Sequence, residues 1–141
     1  MNTEPMKKSV LFVCTHNSAR SQMAEGLLRA FHGRLYEAYS AGTHPGRVNP
    51  FAVAAMGELD VDISSHWSKS VDEVGDDLMD VVVTVCDSAK ESCPYVPAKD
   101  RSFHRSFEDP STVEGSDEQK LDAFRRIRDE IRRWIDQEFG D

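Results

Sequence analysis

Three cysteines in 141 residues are too few, and an odd number, for the disulfide framework that staples a small secreted domain. Apolar runs are short, and none approaches the roughly 20 residues that a membrane-spanning helix needs. Residues 1–8 lack the apolar core of a secretory leader. Basic residues are in deficit: 17 Lys plus Arg stand against 25 Asp plus Glu, for a net charge of −8. That balance makes nucleic acid and anionic membranes unexpected partners. No Gly-rich run ending in Gly-Lys-Ser or Gly-Lys-Thr is present, which excludes the nucleotide type of phosphate loop. His32, His44, His66 and His104 show no metal-ligand spacing, so no metal is expected. Repeats, low-complexity tracts and interdomain linkers are absent as well. What is left is the composition of an ordinary globular protein, 39% hydrophobic and 30% charged. Residues 1–141 are expected to form a single domain, monomeric and cytoplasmic.

Strand and helix signals alternate. Residues 9–13 (Ser-Val-Leu-Phe-Val) read as a strand, followed by a polar loop over 14–20. A helix begins near Ser21, with Met23, Leu27, Leu28 and Phe31 on one face and Gly33 as its stop. Residues 35–40 read as a second strand, ended by turn signals over 41–46. Asn49 and Pro50 have the form of an N-cap and first helical position, for a helix carrying residues 51–59. Ser70 and Glu73 have capping-box spacing and predict a short helix. Residues 80–85 form a continuous apolar strand of the kind covered on both faces, and 102–107 a weaker one. Ser116 and Gln119 form another capping box. Leu121, Phe124, Ile127, Ile131, Trp134 and Ile135 then trace the buried stripe of a long helix whose arginines form its solvated face. Trp67 is expected to be core or half-buried. The pattern predicts an α/β fold of three layers, with about four parallel strands flanked by helices and joined by right-handed crossovers. Ligands in such sheets bind beyond the carboxyl ends of the strands. Cys14, Cys86 and Asp109 each follow a predicted strand there.

The loop after the first strand carries the chemistry. Cys14-Thr15-His16-Asn17-Ser18-Ala19-Arg20-Ser21 joins a strand to a helix. Successive N–H groups of such a loop, with the helix N-terminus, make a nest for a tetrahedral oxyanion. The planar fork of Arg20 can grip two oxygens at once. Both features also favour a thiolate at Cys14, and the Ser21 hydroxyl can hydrogen-bond it. Thr15 through Ser21 are therefore the expected substrate-binding residues and Cys14 the nucleophile. Asp109, before Pro110, is a candidate general acid that protonates an oxygen leaving as water.

Residues 10–26 (Val-Leu-Phe-Val-Cys-Thr-His-Asn-Ser-Ala-Arg-Ser-Gln-Met-Ala-Glu-Gly) closely resemble the start of the thioredoxin-coupled arsenate reductases, which share the low-molecular-weight tyrosine phosphatase fold. The resemblance continues through residues 40–43, 62–64, 82–87, Cys93-Pro94 and 107–110, and so covers nearly the whole chain. It implies a three-cysteine relay. Cys14 attacks arsenic and Asp109 helps water depart. Cys86 then attacks Cys14, arsenite leaves, and a Cys14–Cys86 disulfide forms. Cys93 attacks Cys86, and thioredoxin reduces the resulting Cys86–Cys93 pair. The pair Cys86 and Cys93 distinguishes this reading from a phosphatase, which needs no resolving thiols. Were residues 86–93 helical, the two Cα atoms would stand about 10 Å apart, while a disulfide needs roughly 4.4–6.8 Å. The segment between them is thus expected to loop out on oxidation. Some members of the family bind potassium with residues matching Asn17, Glu25 and Ser40 plus an acidic group. Here Lys69 stands at the acidic position, so no tightly bound cofactor and no potassium requirement is expected. Phosphate and sulfate are expected to compete with arsenate.

Two rivals stand beside this reading. One is a low-molecular-weight tyrosine phosphatase hydrolysing phosphate monoesters. Its acid loop usually carries adjacent tyrosines after Asp-Pro, whereas here residues 111–115 are Ser-Thr-Val-Glu-Gly. The other is a non-enzymatic arsenite or oxyanion sensor using the three thiols as soft ligands. Arg20 and the anion loop argue against it, because arsenite is neutral near pH 7.

Overall fold

The computed structural model describes residues 7–74, 78–87 and 95–140. Strand β1 (Lys8–Cys14) pairs in parallel with β2 (Tyr36–Gly42) on one side and β3 (Val81–Thr84) on the other, and β4 (Arg101–His104) lies outside β3. The order is β2-β1-β3-β4. A central parallel strand is covered on both faces, which is why residues 10–14 are buried without interruption. The side chains alternate. Val10, Phe12 and Cys14 join the larger core with helices α1 (Arg20–His32), α2 (Pro50–Gly57) and α3 (Asp117–Phe139). Leu11 and Val13 face the other way with Val82 and Ala41, under the 3-10 turn Val71–Val74 and the flanking Met79, Val96 and Ala98. Phe12 is fully buried, a contribution of about 2–3 kcal/mol. Its ring meets Trp134 and Phe139 edge-on, each at 6.2 Å.

Local capping sets the helix starts. Asn49 Oδ1 accepts from Phe51 N at 2.8 Å, with Pro50 next in line. Ser116 and Gln119 bond each other reciprocally. At Ser70 the box is only half made: Glu73 accepts from Ser70 N, but Ser70 Oγ takes the nearer Asp72 N–H. The turn that results is 3-10 rather than α.

Four expectations are corrected. Strand β4 ends at His104, short of 107, because the chain leaves the sheet edge and buries Phe107 in the helical core. Phe31 is 41% exposed and lies under the Arg132 guanidinium, 4.1 Å from its carbon. Trp67 is 65% exposed. Arg128 is buried instead of solvated: it donates to Ala55 O at 2.7 Å and Glu58 Oε1 at 2.8 Å, tying α3 to the end of α2. Among the described residues, no helix is long and apolar enough to cross a membrane.

Candidate active site at the carboxyl end of the sheet

The carboxyl ends of β1 and β3 deliver Cys14 and Cys86 to the same rim. Both are buried, and both belong to the core cluster on the helical side of the sheet. Cys14 is a free thiol, whereas Cys86 is disulfide-bonded. The partner sulfur lies outside the described residues. So do Cys93 and all of the expected looping segment except Asp87.

The loop from Cys14 to Arg20 is held through its carbonyls. Thr15 O accepts from His44 N (2.8 Å), and His16 O from Ser68 Oγ (2.6 Å) and Gly46 N (3.3 Å). Asn17 O accepts from Gln22 Nε2 (3.2 Å), Ser18 O from Asn49 N (2.9 Å) and Ala19 O from Met23 N (2.8 Å). In a trans peptide the C=O and the next N–H point in opposite directions, and no peptide here is cis. Each N–H of residues 16–20 therefore points away from the partner that holds the carbonyl before it. The left-handed turn of the loop falls on Asn17, φ 50°, a residue type that tolerates it. Ala19 is the helix N-cap and supplies no side-chain acceptor, so the first turn of α1 is not self-capped.

Arg20, 3% exposed, opens α1. Its Nη1 donates to Phe107 O at 3.2 Å, and its Nη2 stands 3.6 Å from Asp109 Oδ2. Asp109 is itself fixed as the N-cap of the 3-10 turn Pro110–Thr112, accepting from Ser111 N and Oγ. The structure thus places the Arg20 guanidinium and the candidate acid side by side.

Cys14 Sγ lies 2.8 Å from Ser21 Oγ, and Asn17 Nδ2 donates to the same oxygen at 2.8 Å. Asn17 cannot be turned the other way, because its Oδ1 accepts from the backbone N–H of Lys69 at 2.8 Å. Ser21 therefore receives one bond and has its own proton to give to the sulfur, an arrangement that suits a thiolate. His16 is exposed, and its Nδ1 donates to His44 O at 2.9 Å.

Behind the loop lies a cavity of about 750 Å³ whose walls include Glu25, Arg29, Ser40, His66, Trp67 and Lys69. Cys14 is not among them. Ser40 Oγ donates to Glu25, Arg29 pairs with Glu25 at 2.6 Å, and Lys69 Nζ stands 4.0 Å from the same carboxylate. Lys69 Nζ also donates to Trp67 O at 2.9 Å. Burial pushes the Lys69 ammonium below its ordinary range, with Glu25 opposing the shift. The ammonium thus reaches the group formed by Asn17, Glu25 and Ser40.

Three residues that hold the site escaped the sequence reading. Gly42 lies among the turn signals of residues 41–46. It ends β2, and a Cβ there would meet Thr15 O at 2.7 Å and Asn17 N at 2.8 Å. Ser68 and Gln22 carried no motif of their own. Gln22 is fully buried at a helix position next to the loop, and its place two residues after Arg20 is the one signal the sequence offers.

The family model described as low molecular weight phosphotyrosine protein phosphatase matches residues 9–139. An arsenate reductase of Halalkalibacterium halodurans is 46% identical over 125 residues, 89% of this chain and 90% of that one. The crystal structure of an arsenate reductase from Archaeoglobus fulgidus superposes with a TM-score of 0.78 at 31% identity, covering 94% of this chain and 99% of that one. A thioredoxin-dependent arsenate reductase of Corynebacterium glutamicum superposes with a TM-score of 0.64 at 27% identity, covering 96% of this chain and 63% of that longer one.

Proposed function

Because the chain belongs to the low molecular weight phosphotyrosine protein phosphatase family and matches arsenate reductases over most of its length, we propose that it reduces arsenate to arsenite with thioredoxin as reductant. The Cys14 thiolate attacks arsenic while loop N–H groups and Arg20 hold the arsenate oxygens. Asp109 gives a proton to the departing oxygen, which leaves as water. Cys86 then attacks Cys14 Sγ. The sulfur–arsenic bond breaks, its electron pair stays on arsenic, and As(III) departs as arsenite. Cys93 displaces Cys14 from Cys86, and thioredoxin supplies two electrons to the Cys86–Cys93 disulfide.

The observation that carries this reading is the unequal state of the thiols: Cys86 is disulfide-bonded while Cys14, its neighbour in one core cluster, is free. That is the arrangement the relay leaves behind, and a hydrolase has no use for it. Potassium has no place in the scheme. The Lys69 ammonium near Glu25 supports this, because a second cation there would be repelled. The protein acts as a cytoplasmic monomer, with phosphate and sulfate competing for the cradle.

One turnover tests the scheme. Reduced enzyme is mixed with one equivalent of arsenate without thioredoxin, then alkylated and digested for mass spectrometry. One arsenite per enzyme, a Cys86–Cys93 disulfide and an alkylated Cys14 are expected. Absence of arsenite, with rapid hydrolysis of an aryl phosphate, would establish the phosphatase instead.

A further inference from the structure

Gln22 and His66 have no part in the chemistry above, yet they are wired to the nucleophile. Gln22 is fully buried in α1. Its Nε2 faces three acceptors: Asn17 Oδ1 at 2.9 Å, Asn17 O at 3.2 Å and Trp67 O at 3.0 Å. The amide is therefore oriented by chemistry, since its oxygen could not sit among three other oxygens. Its Oε1 meets His66 Nδ1 at 2.9 Å, so Nδ1 carries the proton. His66 Nε2 in turn lies 3.2 Å from Arg29 Nη1, and a guanidinium only donates, so Nε2 offers a lone pair. Every donor in the series points toward Cys14.

We propose that Gln22, backed by His66, is a positioning residue for the nucleophile: a one-way chain of hydrogen bonds from Arg29 through His66, Gln22, Asn17 and Ser21 aims the Ser21 proton at the Cys14 sulfur. Arg29 anchors the far end, itself held by Glu25 and by Ala38 O at 2.7 Å. Such chains polarise one another, and each bond strengthens the next. Burial pushes His66 toward its neutral form, with Arg29 and Lys69 acting in the same sense and Glu25 and Asp62 opposing. The neutral form is the one the chain needs. Arg20 and Asp109, the charged groups at the cradle, pair with each other at 3.6 Å.

The proposal rests on Cys14 being the nucleophile, but its test needs no arsenate, so the two stand or fall separately. Reduced full-length protein is alkylated with iodoacetamide from pH 4 to 9, and the Cys14 peptide is quantified by mass spectrometry. In Gln22→Met the midpoint of the rate profile should rise by about one pH unit. His66→Phe should shift it in the same direction by about half as much. His66→Gln, which can accept from Arg29 and donate to Gln22, should restore the wild-type profile. If Gln22→Met does not fold, the two His66 variants decide the matter. Superimposable profiles for His66→Phe and His66→Gln overturn the proposal, as does a wild-type profile in folded Gln22→Met.

Discussion

Replacing Gly42 with Ala should cripple the enzyme while leaving every reacting group in place. The added methyl would stand 2.7 Å from Thr15 O, 2.8 Å from Asn17 N and 3.0 Å from His16 C. These fall short of an ordinary 3.4 Å contact by about 0.7, 0.6 and 0.4 Å. All three neighbours are backbone, so no side chain can swing aside. Nor can β2 easily retreat, since Gly42 N donates to Lys69 O at 2.7 Å and the strand is paired with β1 along its length. The loop must yield, by about half an ångström, and its N–H groups move off the oxyanion. A misplacement approaching 1 Å costs about 10²-fold in rate, so kcat/KM for arsenate should fall 10- to 100-fold. Overpacking of this kind should cost about 1–3 kcal/mol of stability. Gly57→Ala is the matched control, because nothing lies within 4 Å of its added Cβ. It should keep full activity. The assay is thioredoxin-coupled arsenate turnover, with urea denaturation alongside. A Gly42→Ala protein that turns over at the wild-type rate refutes the claim that this contact sets the cradle.

Asp109→Asn should lower kcat by at least 10²-fold through loss of the acid. It should also raise affinity for inorganic phosphate, measured calorimetrically, because the carboxylate 3.6 Å from Arg20 no longer competes for it. Lys69→Asp removes the ammonium beside Glu25 and should give a thermal midpoint that rises with potassium but not with equimolar choline; the wild type should respond to neither. Arg125 and Arg128 hold the Glu58 carboxyl at about 2, below its ordinary 4.5. A lowered folded value means stability that is full above about pH 4.5 and is lost as pH falls toward 2. Discounted for solvent screening, it amounts to about 1–2 kcal/mol. Glu58→Gln should therefore lower the unfolding temperature at pH 7, and the gap should close at pH 2.

Features written in short stretches of chain were legible. The Cys14–Arg20 loop, the Asn49-Pro50 start and the Ser116–Gln119 box each lie within a few residues, and each formed as read. The long stripe on α3 was legible for the same reason, since its period is local. Features that depend on residues meeting from afar were not. Gly42 looked like a turn because the loop it supports begins 28 positions earlier. Arg128 looked solvated because the acceptor at Ala55 is 73 positions away. Gln22 has the polarity of a surface residue and is buried only because Asn17, Trp67 and His66 give its amide three partners. Trp67 erred in the opposite direction: its backbone carbonyl is committed to Gln22 and Lys69, which holds that segment at the surface with the ring outward.

The Arg20 guanidinium has an anchor that no point substitution can delete. Arg20 leans on the carbonyl of Phe107, a main-chain atom, and the Phe107 ring lies edge-on to Trp134 with centroids 5.7 Å apart. The indole of α3 is therefore two contacts from the guanidinium. Shaving volume at position 134 would let the carbonyl drift and slacken the clasp from behind.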